Sequence, residues 1–135
     1  MKVAYNTCYG GFGLSDEAMV LYEDLRRRLT LSSGECVHNF GSRHDPLLLE
    51  VIDRLGEKAN GKYCRIKITE IPDEYASCYQ IKEYDGMERV VCDPARLVHS
   101  RLKGLDVKAM TDSECRTLLA EMVGILAPNT NLELN

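Results

Sequence analysis

Asp85-Gly86 stands between two runs of alternating character, "CYQIKEY" at Cys78–Tyr84 and "ERVVC" at Glu88–Cys92. An Asp-Gly pair between such runs marks a two-residue antiparallel hairpin, since both turn positions take positive φ and their twist matches the strands. Upstream, "CRIKITEI" at Cys64–Ile71 sets Ile66 and Ile68 against Arg65 and Lys67, predicting a strand with one buried and one wet face. Pro72-Asp73 ends it. The three runs together predict an antiparallel meander. Helical segments precede and follow it, so the fold class is α+β, a small antiparallel three- to four-strand sheet packed against amphipathic helices.

The helical segments carry their own start signals. Ser15 caps a helix with Asp16 and Glu17 in its first turn, and Ala18, Tyr22, Leu25 and Leu29 fall on one face. That helix is expected to end in "RRRLT", before a loop at "LSSGE" and a short strand at "CVHNF". Asp45-Pro46 opens a second helix, with Leu48, Ile52 and Leu55 on one stripe and Gly56 or Asn60-Gly61 as its end. Asp93-Pro94 opens a third, and Thr111 with Glu114 forms a capping-box pattern before the last. Lys2 to Thr7 reads as a short first strand. A chain of 135 residues can bury a core of its own, and residues 1–126 are expected to form one domain with 127–135 as a tail.

A formal charge of −4 argues against a general nucleic-acid binder. No stretch has the length of a membrane span, and the start lacks the apolar centre of a secretory signal, which predicts a cytoplasmic chain. The six cysteines, at 8, 36, 64, 78, 92 and 115, show no C-x-x-C pair. They are therefore expected to be free thiols, with Cys64, Cys78, Cys92 and Cys115 as small core residues and neither a metal site nor a cofactor.

Candidate chemistry concentrates at "NTCYGGFGLS", Asn6 to Ser15. Its glycines and the helix start behind it could cradle an anion, with Tyr9 or Phe12 stacking on a ring; the plain alternative is a turn that needs positive φ. The spacing is neither that of a P-loop nor G-x-G-x-x-G. Arg43 and His44 precede the Asp45 cap, where Arg43 suits a phosphate and His44 an acid, base or stacking role. The expected ligand residues are Asn6, Cys8, Tyr9, Gly10, Gly11, Phe12, Arg43, His44 and Tyr84, the last beside the hairpin turn. Both loops precede helix N-termini, so they are expected to form one pocket, with Arg43→Ala weakening binding and leaving folding little changed. Arg65, Lys67 and Lys82 form a solvated face or a basic wall. Cys8 with His44 could make a nucleophile and base, but no complete catalytic signature surrounds them, and no catalytic residue is assigned.

"NTCYGGFGLSDEA", "RHDPLLLEVIDRLGEKANGK" and "RIKITEIPDEYASCYQIKEYDGMERV", in this order, resemble a family of small, mostly uncharacterised proteins of bacteriophages and large DNA viruses. The resemblance spans roughly Met1 to Val91. It implies a viral accessory protein in the host cytoplasm and supplies no activity of its own. The expected function is binding of a small anionic, nucleotide-like ligand, sequestering a host defence signal, with no nucleic-acid or membrane partner and room for a homo-oligomer. The alternatives are a small hydrolase or transferase using Cys8 and His44, and a protein–protein inhibitor of a host factor.

Overall fold

The computed structural model describes residues 1–33 and 42–127. The expected strand at "CVHNF", with Cys36 and His38, and the tail beyond Ala127 lie outside the described residues. Among the described residues, four helices and four strands make an α+β fold. The described residues form two compact units, one within Met1–Asp73 with Gln80–Val91 and one of Glu74–Tyr79 with the described residues from Cys92 on. No helix among the described residues is long and apolar enough to cross a membrane.

In the first unit, β1 (Lys2–Asn6) pairs antiparallel with β2 (Ile66–Glu70), and β3 (Gln80–Tyr84) with β4 (Met87–Val91). The strands are antiparallel as expected, but they form two pairs and not the expected meander, because β2 takes β1 as its partner. Pro72 and a 3-10 turn at Asp73–Tyr75 separate β2 from β3. The other edge of β1 carries no ladder and is closed by the turn before Pro46 and by a side chain of β4. Ala4 N–H donates to the Arg43 carbonyl at 2.8 Å and Asn6 N–H to the Glu88 carboxylate at 2.8 Å. Ile68 is 39% exposed, so β2 lacks the clean buried face its alternation suggests.

Helices α1 (Asp16–Ser33) and α2 (Pro46–Leu55) pack together, and the core joins Ala4, Ala18, Tyr22, Leu48, Val51 and Ala59. The Ser15 hydroxyl accepts from Ala18 N–H at 3.2 Å, as a cap should. α1 runs past Thr30 to Ser33, so the expected loop begins inside the helix, and Leu29 is exposed. One Asp45 oxygen accepts from Leu47 N–H at 2.9 Å, capping α2, and the other accepts from the Tyr22 hydroxyl at 2.6 Å. That residue therefore fixes α2 against α1. Gly56, at φ +57, ends α2.

In the second unit, α3 (Pro94–Leu102) is capped by Asp93 and α4 (Asp112–Leu126) by Thr111. The two helices pack on each other. Tyr75, Cys78, Leu97 and Met122 are buried. Arg101 bridges Glu74 and Glu121.

Candidate functional site

Asn6 organises the glycine loop. It is fully buried, and its amide serves three segments at once. Its Oδ1 accepts from Cys8 N–H at 3.1 Å and Arg65 N–H at 2.9 Å; its Nδ2 donates to the carbonyls of Cys8 at 2.6 Å and Gly86 at 2.7 Å. The loop is thereby tied to the start of β2 and to the hairpin turn. Gly10 N–H adds a bond to the Tyr63 carbonyl at 3.0 Å.

The glycines answer to two different demands. A Cβ on Gly10 would lie 2.2 Å from Tyr63, so this position is set by close approach. Gly11, at φ +82, meets nothing within 4 Å and is set by backbone conformation alone. Gly86 combines both demands, with φ +87 and a Cβ position 2.2 Å from the Tyr9 carbonyl. The Asp85-Gly86 turn thus packs its backbone onto the loop. Asp85 at φ +50 and Gly86 have the positive φ pair of a type I′ hairpin.

Arg43 does meet the loop. Its guanidinium sits 3.6 Å from the centre of the Phe12 ring. Its fork, however, grips Glu88, with Nη1–Oε1 at 2.7 Å and Nη2–Oε2 at 2.9 Å. The Glu88 side chain is 8% exposed. The charge expected to receive a phosphate is therefore neutralised within the chain, and the guanidinium is part of the fold. The expectation that Arg43→Ala leaves folding little changed is corrected accordingly, because the variant would strand a buried carboxylate. Glu88 escaped the sequence reading because an acidic residue in a strand reads as a wet-face residue.

Cys8 is half-buried, and its electrostatic neighbour is Cys64. Burial pushes the Cys64 thiol above the ordinary cysteine value; the Gly13 and Gly61 backbones oppose this, while Glu88 and Cys8 add to it. Cys64 and Cys78 are buried as expected, whereas Cys92 and Cys115 are only half-buried. His44 is half-buried beside the α2 cap. Arg65, Lys67 and Lys82 are exposed, but β2 and β3 do not pair, so no continuous basic wall forms across one sheet.

Three tyrosines stand out from this framework. Tyr9 in the loop, Tyr63 before β2 and Tyr84 at the hairpin are 63%, 71% and 82% exposed. Tyr63 holds φ +60, an uncommon conformation for an aromatic residue and one that marks local strain. Lys62 places its ammonium 5.1 Å from the Tyr63 ring centre. Tyr63 was not singled out from sequence; its only signal was the preceding Asn60-Gly61 turn pair. Among the described residues no group of three or more His, Cys, Asp or Glu side chains is placed to hold a metal ion. No family model matches the chain, and neither a curated protein nor a solved structure is significantly similar to it.

Proposed function

We propose that the protein is a non-catalytic binding protein for a small planar anionic ligand of nucleotide type. The observation that carries this reading is the presence of three exposed tyrosine rings on backbone that the Asn6 amide and Gly86 pin together. A folded chain exposes large rings at a cost in apolar surface, and stacking on a base recovers it. Lys62, beside Tyr63, supplies a cation for a phosphate, the role for which Arg43 is already engaged. With the likeness of three sequence blocks to small viral proteins, the reading extends to sequestering a nucleotide-derived defence signal in an infected cell.

Mass spectrometry of small molecules released from the purified protein, followed by calorimetry with a nucleotide panel, tests it. Tyr63→Asn is the most informative variant, since Asn tolerates positive φ and the ring lost is outside the core. Each of Tyr9→Ala, Tyr63→Asn and Tyr84→Ala should weaken nucleotide binding by roughly five- to a hundredfold, the worth of one base stack, with thermal melting nearly unchanged. Absence of nucleotide binding to the intact protein, or equal affinity in all three variants, rejects the reading. Turnover of the nucleotide would favour the enzyme alternative.

A further inference from the structure

The β1–β2 register runs from Lys2↔Glu70 to Asn6↔Ile66. It continues one step further, since Thr7 N–H donates to the Arg65 carbonyl at 2.8 Å. There the ladder ends, because the chain bends at Cys8 and Arg65 N–H turns to the Asn6 side chain. Past it, the partner of the Tyr63 carbonyl is Gly10, so the loop side holds one extra residue and bulges there. Cys64 is thus bracketed by the Thr7–Arg65 and Gly10–Tyr63 bonds, opposite Cys8 and Tyr9, and Cys8 lies near enough to act on the Cys64 thiol electrostatically. Segments held by backbone bonds on either side run about 5 Å apart, inside the span of a disulfide. One thiol is half-buried and the other buried.

We propose that Cys8 and Cys64 form a dithiol site that reacts with small-molecule disulfides of the glutathione class and closes to an intramolecular disulfide. Cys8, the accessible partner, attacks first as thiolate; one glutathione thiolate leaves, and Cys8 carries a mixed disulfide. Cys64 then gives its proton to solvent, and its sulfur attacks the Cys8 sulfur. The second glutathione departs as thiolate. The two protein thiols lose two electrons in all, and one glutathione disulfide becomes two glutathione molecules. The raised thiol of Cys64 fits the resolving role, because a buried, protonated sulfur is spared until a partner is presented to it. The bond would staple the glycine loop to the residue after Tyr63. Its consequence for ligand binding rests on the binding reading above; the bond itself does not.

The sequence makes the test clean, because cleavage after every Lys and Arg places each of the six cysteines on a different peptide, Cys64 on Tyr63–Arg65. The protein is incubated with glutathione disulfide, its remaining thiols are alkylated, and the tryptic peptides are read by mass spectrometry. The expected product links Tyr63–Arg65 to the Cys8 peptide, with the other cysteines alkylated. Cys64→Ser should instead retain glutathione on Cys8, and Cys8→Ser should leave Cys64 unmodified. A stable Cys8–glutathione adduct in the unaltered protein, a link from Cys8 to another cysteine, or full alkylation of Cys8 and Cys64 overturns the proposal. Formation of the link in a protein that binds no nucleotide would reject the binding reading alone.

Discussion

Asn6 shows how much one buried amide can decide. Two donors and one oxygen make four bonds to Cys8, Arg65 and Gly86, and no aliphatic or acidic side chain can replace both sets. Asn6→Asp keeps the size but turns two donors into an acceptor facing two carbonyls. It should destabilise the protein by about 3 kcal/mol or more, the cost of a buried charge with unsatisfied partners. Urea denaturation measures this, and a loss below about 1 kcal/mol would show that the amide is dispensable. From sequence, Asn6 was placed at the ligand loop by its position in "NTCYGG", but its role inside the fold was not legible. The partners that define that role lie 59 and 80 residues away.

At the level of elements, whatever is set locally was readable. Asp45-Pro46, Asp93-Pro94 and Thr111 cap helices, and Asp85-Gly86 turns a hairpin, because each signal acts within a few residues. Strand partnership was not readable. Alternation marks "CRIKITEI" as a strand without saying whether β1 or β3 will pair with it. The Arg43–Glu88 bridge, which closes the free edge of β1, was equally hidden. Its strength can be measured by a double-mutant cycle. Arg43→Ala should cost roughly 3 kcal/mol by leaving the Glu88 carboxylate, which also accepts from Asn6 N–H, buried without its guanidinium. Adding Glu88→Ala should cost clearly less than the sum of the two single losses, with a coupling of at least about 1.5 kcal/mol in denaturant titrations. Additive losses would mean that the two side chains act independently.

For the whole molecule, burial weakens acidity in both units. It is the leading cause that raises Cys64 in the first unit, and Tyr75, Cys78 and Cys92 in the second. A group whose acidity falls on folding holds its proton more tightly in the native state. Its stabilising contribution is therefore complete below the unfolded value, about 9 for the thiols and 10 for Tyr75, and is lost as pH climbs towards the folded value. Melting temperature measured in reductant should fall as pH rises from about 8 to about 10.5, and Cys64→Ala should flatten part of that fall. A melting temperature that holds or rises over this range contradicts the assignment. The reach of the Asn6 bonds has one more consequence, which concerns the order of events during synthesis. β1 leaves the ribosome before its partners, since Arg65, Gly86 and Glu88 follow Asn6 by 59 to 82 residues. The local helices can form while β1 waits, and the loop closes only after segments far apart in sequence meet, a step slowed by the entropy of closure. Until then the first strand and its glycine loop are open to chaperones, proteases and oxidants.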